Sequence, residues 1–354
     1  MFVTDVAALR AKLDTDGAQV QPILDAIEKA GHALVDIAGR RDQKAILAAE
    51  VRARLAEHPD AEGVVVIGGY DVMPSFAVDT VPPDIAGSVD RQGDRPDGFV
   101  VWNDEVYGDT NGDGLAELPV SRAPDGGSVA FLAKVLGATT TTSTIDRSGV
   151  RNFARPFAEL VFGVLPGADP LLVSIPVLSD SPSFRLDGRM VYVMLHGDHH
   201  DTSQFEGEKE NRQRVPAASL ANVPAENAGV VLAGCCWGGL ISNEIASECP
   251  PDKDPGQRSP ENSMAMKFLE GGSIAFVGCT GLHYSPMKEP FDYNGRPMHE
   301  SFWRHVLAGD APAVALHKAR DEFGAAIPHG QETAQRFAIE SKIWRQFTCL
   351  GLGW

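Results

Sequence analysis

Four short apolar runs, each closing on glycine or another small residue, constrain this chain more than any other feature in it. They are Val64-Val65-Val66-Ile67 before Gly68-Gly69, Met190 to Leu195 before His196-Gly197, Gly229 to Ala233 before Gly234-Cys235-Cys236, and Ser273 to Val277 before Gly278-Cys279. Runs this short and without alternation are how strands buried on both faces read. Leu171 to Leu178 is a weaker fifth. Helix-like stretches fall between them, around 128–140, 214–222, 239–248, 261–270 and 299–323. Alternation of this kind predicts an α/β fold with a mostly parallel sheet and helices on both faces. Residues 1–60 read as a helical N-terminal extension, with Ile46, Leu47, Val51 and Leu55 on one apolar face, and 61–354 as one continuous domain. The Asp-, Gly- and Pro-rich stretch from Val78 to Leu118 reads as an excursion from the sheet.

The chain carries 31 basic and 48 acidic residues among 354, a formal charge of −17. Binding nucleic acid through counterion release needs a basic stripe, and none is visible. No apolar run approaches the roughly 18 residues of a membrane span. Met1 to Asp16 carries charges throughout and no apolar core of a signal peptide. Five cysteines, an odd number in no zinc-finger spacing, read as free thiols of a reducing compartment. The expectation is a cytoplasmic protein with no nucleic-acid or membrane partner.

In open parallel sheets, ligands bind beyond the carboxyl ends of the strands. Two of the strands predicted here end in His196-Gly197 and in Gly234-Cys235-Cys236. A lone loop histidine or a buried thiol is ordinary; an imidazole and a thiol on one rim are what nucleophilic thiol catalysis needs. Gly197 and Cys235 would supply backbone N–H groups to an oxyanion hole. Asp198, Asp201, Glu206 and Glu208 would give the cleft a negative potential, and Trp237 and Tyr284 are candidate walls.

A hydrophobic strand ending His-Gly, followed 235 − 196 = 39 residues later by one ending small residue-Cys, resembles the caspase-fold cysteine peptidases, and within them the gingipain family. Further landmarks recur in order. They are Val64 to Gly68 with Asp71 to Phe76, then Asp109 to Gly114 with Glu117 to Arg122, then Phe268 to Gly272 leading into Ser273 to Gly278. The resemblance spans roughly residues 40–350. It implies a caspase-like three-layer sandwich of bacterial type and a cysteine endopeptidase acting on polypeptides through His196 and Cys235, with no obligatory cofactor. The exported members carry a signal sequence, a propeptide and an immunoglobulin-like domain, none of which is visible here. The segment Arg151 to Gly188 matches poorly, so the acidic residues that support the histidine and line the P1 pocket in arginine-specific members transfer to no residue here. The acidic rim suggests Arg or Lys at P1.

Cys235 is favoured as nucleophile because Gly234 directly before it lets the strand turn. Gly234 to Gly239 also reads Gly-x-Cys-x-Gly-Gly, resembling the elbow of dienelactone hydrolases, in which Cys236 would attack an ester with His329 as base. Asp109, Asn111, Asp113 and Glu117 sit at positions one, three, five and nine of a calcium loop, but position twelve is Val120. Calcium is therefore the one cofactor the sequence offers, and a non-catalytic calcium-binding protein of the same fold the remaining alternative. Consecutive His199 and His200 argue against a zinc hydrolase.

Overall fold

The computed structural model describes residues 1–14, 19–40, 43–94, 96–182, 184–226, 229–250, 253–327 and 333–354. In chain order its N-terminal half contains β1 (Phe2–Thr4), α1 (Val6–Leu13), α2 (Gln21–Lys29), β2 (Leu34–Asp36), α3 (Lys44–Glu57), β3 (Val64–Ile67), β4 (Phe76–Asp79), β5 (Val100–Asn103), β6 (Val120–Ala123) and α4 (Val129–Gly137). Then follow β7 (Arg147–Asn152), α5 (Ala158–Phe162), β8 (Leu172–Ser174), β9 (Met190–Met194), β10 (Gln204–Glu208), β11 (Arg214–Ser219) and β12 (Val230–Ala233). The chain closes with α6 (Met264–Glu270), β13 (Ala275–Cys279), α7 (Gly295–Leu307), α8 (Pro312–Ala326), α9 (Ala334–Gln346) and β14 (Phe347–Leu350).

Ten strands form one sheet in the order β2-β1-β3-β6-β14-β13-β12-β9-β7-β8. β14 runs antiparallel to β13, while β13, β12, β9, β7 and β8 are successively parallel, as are β6, β3, β1 and β2. The predicted apolar runs are strands of this sheet, and alternate residues feed two separate cores. Val191, Val193, Val231 and Phe276 pack on one face with α4 and α6; Tyr192, Met194, Leu232 and Val277 pack on the other with α5, α7 and α8. That is the two-residue period of a strand read on both faces, each side chain contributing about 1.5–3 kcal/mol on burial. Helix starts follow the usual chemistry: Ser128 and Ser263 accept from the N–H groups of Phe131 and Met266, and Pro312 opens α8.

Three expectations are revised. The segment 1–60 is not only helical: β1 and β2 lie in the central sheet, β1 pairing with β3. The stretch 214–222 forms strand β11 and a short 3-10 turn instead of a helix, because Pro216 removes a backbone donor and clashes in a helix interior. Residues 239–248 form no helix either. Gly239 runs into β13, where a Cβ would lie 2.6 Å from the Gly278 carbonyl, and its N–H binds the Cys279 carbonyl at 2.9 Å. The polar excursion carries a hairpin, β4 with β5, whose following turn sends Asp104 into the core.

Candidate active site

β9 and β12 are neighbours in register, Val193 opposite Ala233. His196 and Cys236 each follow that pair by three residues (196 − 193 and 236 − 233), so they emerge at the same height on one rim. Gly197 fixes their approach: a Cβ there would sit 2.0 Å from the Cys236 carbonyl oxygen, so only glycine fits. Trp237 then turns the chain with φ +52°, a left-handed conformation uncommon for an aromatic residue, held by its N–H on the Gly281 carbonyl at 3.0 Å.

The two cysteines face different surroundings. Cys235 is wholly buried, its thiol 3.8 Å from the Val193 carbonyl, and its own carbonyl accepts from the Cys279 thiol at 3.1 Å and from the Gly238 N–H. Burial pushes the Cys235 thiol far above its ordinary pKa. Cys236 stays partly exposed, and its sulfur accepts the His283 N–H at 3.3 Å. Burial raises its pKa too, opposed by that backbone contact and by the charges of Lys342, Arg214 and Arg155. The expected nucleophile Cys235 thus has its thiol turned into the core, because strand parity sends successive side chains to opposite sides.

His196 is clamped through its backbone, exchanging hydrogen bonds with Glu206 at 2.8 and 2.9 Å. Its Nε2 lies 2.7 Å from Glu208 Oε2. Burial lowers the His196 pKa, with Arg155 and Arg214 acting in the same direction and Glu208 opposing them. For Glu208, burial pushes the pKa up, but the His196 hydrogen bond and nearby cations outweigh it and hold the carboxyl below its usual range. Glu208 is the partner that sequence reasoning missed. The loop after His196 is a hairpin, β10 with β11, and its fold brings back a carboxylate twelve residues on. The alternation Gln204, Glu206, Glu208 was the available signal.

No family model matches the sequence, and no curated protein does. Solved structures do match. Gingipain R, an Arg-specific cysteine proteinase, superposes with a TM-score of 0.58 at 10% identity, over 99% of this chain and 76% of that one. The complex of the Porphyromonas gingivalis RgpB pro- and mature domains gives 0.57 at 11%, over 94% and 75%. A structure described as a protease gives 0.56 at 11%, over 100% and 77%. The fold is that of the caspase-like cysteine peptidases.

Within this caspase-like frame the remaining candidates separate. Trp237 is buried with its ring tilted against His199, centroids 4.9 Å apart, and the His199 ring centroid lies 3.8 Å from that of His200. Ligand atoms of Asp198, His199 and His200 fall within 4.8 Å of one another. Tyr284 is half-buried, with Lys342 over its ring at 5.7 Å. Asp198 and Asp201 accept hydrogen bonds inside their own turns, from His200 and Ser203. In the calcium-like loop, Asp109, Asp113 and Glu117 come within 4.8 Å. Yet Asp109 already accepts from Gly112, Gly114 and Arg52, Glu117 from Thr110 and Asn111, and Val120 lies in β6. A guanidinium therefore holds a carboxylate that calcium would need. His329, offered as the base of a hydrolase elbow, lies outside the described residues.

Proposed function

We propose that the chain is a cysteine endopeptidase with Cys236 as nucleophile, His196 as general base and acid, and Glu208 holding the imidazole. The observation that carries this reading is the pairing of His196 with Glu208 at 2.7 Å, on the rim where Cys236 alone of the two cysteines keeps exposed surface. The Glu208 contact at Nε2 leaves Nδ1 of His196 for the thiol. Since the thiol pKa is raised and the imidazole pKa lowered, the pair rests neutral. His196 then takes the thiol proton as sulfur attacks the peptide carbonyl, and returns it to the departing amine. With the nucleophile moved to Cys236, the backbone N–H groups of Gly197 and Cys236, in place of the expected Gly197 and Cys235, receive the oxyanion in this reading. Water then cleaves the thioester, with His196 again accepting the proton.

A peptidyl acyloxymethyl ketone, followed by mass spectrometry, tests the assignment. The label is expected on Cys236 and absent from Cys236→Ala. A label on Cys235 would remove Cys236 from this role, and hydrolysis of activated esters with every peptide left intact would favour the lactonase reading.

A further inference from the structure

The rim that carries His196 and Cys236 also carries a cation that forms no ion pair with any of the described residues. Arg155 follows β7, the strand beside β9, where Arg151 pairs with Met194. Its backbone is fixed by its N–H on the Asn152 carbonyl at 3.0 Å. Its Nη1 donates to the Ala154 carbonyl at 3.3 Å and contacts Met287 Sδ at 3.6 Å. Met287 belongs to the segment after β13, four residues beyond His283, whose N–H touches the Cys236 sulfur. The segment after β13 reaches over to the β7 side of the rim, where Phe291 meets Phe157 with ring centroids 6.5 Å apart, so the guanidinium lies between that segment and the end of β7. It is half-buried, close enough to Glu208 and Cys236 for their charges to act on it, and makes no ion pair among the described residues.

Guanidinium groups present five donors in a planar fork suited to a carboxylate. Here that fork is largely unused. Glu208 is taken by His196, and Glu206 faces Arg214 at 3.6 Å. With Asp198 and Asp201 tied into their own turns, the four acids that suggested a basic P1 residue are committed elsewhere. Arg214, opposite Glu208 in the β10–β11 ribbon, adds positive charge on the same side.

We infer that Arg155 selects the substrate, and that the substrate presents a carboxylate side chain, Asp or Glu, at P1. This rests on the peptidase reading above. An oriented fork beside the attacked carbonyl holds the P1 carboxylate and so fixes the scissile bond against Cys236.

The test is digestion of a mixed peptide library, with cleavage sites located by mass spectrometry, followed by kinetics on fluorogenic peptides with Asp, Asn, Glu, Gln, Arg or Lys at P1. Cleavage is expected after Asp or Glu, with kcat/KM at least 10-fold above the Asn and Gln isosteres, the worth of one charge-assisted hydrogen bond. Arg155→Ala is expected to bring the Asp-to-Asn ratio toward one, chiefly through KM, and Arg155→Glu to move preference toward Arg and Lys. Wild-type cleavage after Arg or Lys, selection of an acid on the other side of the bond, trimming only at a free C-terminus, or an unchanged profile in Arg155→Ala would each overturn the inference while leaving the peptidase intact. A library cut nowhere would overturn the peptidase reading and this inference with it.

Discussion

The ends of β3 and β6 and the ends of β9 and β12 are built from similar material and differ in how completely it is used. Beyond β3 and β6, Lys12 bridges Asp71 at 2.7 Å, Asp125 at 2.9 Å and Gln257 at 2.7 Å, and Asp125 also accepts from the Gly69 and Gly127 N–H groups. Arg122, fully buried, gives two 2.7 Å bonds to Asp104 and two 2.8 Å bonds to the Gly68 and Met73 carbonyls, with Tyr70 4.9 Å beneath it. Charges met on every side hold loops in place. Beyond β12, Cys236 keeps open surface, and at the end of β7 beside β9 Arg155 meets a carbonyl and a sulfur. Unspent hydrogen-bonding capacity on a rim is what a ligand can use, whereas saturated pairs of the same residue types are scaffold.

Breaking each end in turn separates the two roles. The largest effect is expected from Cys236→Ala, with peptide cleavage falling at least about 10³-fold while Cys235→Ala keeps most of it; the reverse order would return the nucleophile to Cys235. Arg122→Ala strands Asp104 in the core and is expected to cost about 3–5 kcal/mol in denaturant unfolding, as breaking a buried ion pair does.

A third prediction concerns pH. His299 is wholly buried, hydrogen-bonded to the Tyr192 hydroxyl at 3.0 Å and stacked on His283, and burial drives its pKa down to about 3. Its folded pKa lies below the unfolded value of about 6.5, so the stabilisation is present above that pH and lost as pH falls toward 3. Each pH unit in that window costs up to about 1.4 kcal/mol for this group, and His299→Gln should flatten the slope of stability against pH by up to one proton. An unchanged slope would show that His299 does not control it.

Glu208→Gln is expected to lower kcat about 100-fold. It should also move the acidic limb of kcat/KM further below the ordinary histidine range, since Glu208 is the carboxylate that favours the imidazolium and the limb needs neutral His196. A limb that moves up would exclude His196 as the base. The smallest expected effect is on stability in Arg155→Ala, under about 1 kcal/mol against the several lost at Arg122, because Arg155 gives up no ion pair.

Much of the frame was legible in the sequence. Val64–Ile67, Met190–Met194 and Val230–Ala233 need no partner to be recognised, because strands buried on both faces are apolar at every position. His196 could be placed on the rim for the same reason, since the strand before it is unmistakable. The short strands β1 and β2 were hidden, three residues each being too few to show a period. The helix expected at 239–248 failed because Gly239 answers to the neighbouring strand and not to its own local pattern.

The sequence by itself determined the sheet, the rim and the presence on it of an imidazole and two thiols. Only the tertiary structure decided that Cys235 faces the core and Cys236 the solvent side, that Glu208 rather than Asp198 or Asp201 reaches His196, and that Arg122 meets a carboxylate while Arg155 meets none among the described residues. The physical reason is that apolar burial depends on composition along one strand, which a sequence records. Parity and charge pairing depend on which residue of another element stands opposite, and that is fixed only when the strands come into register.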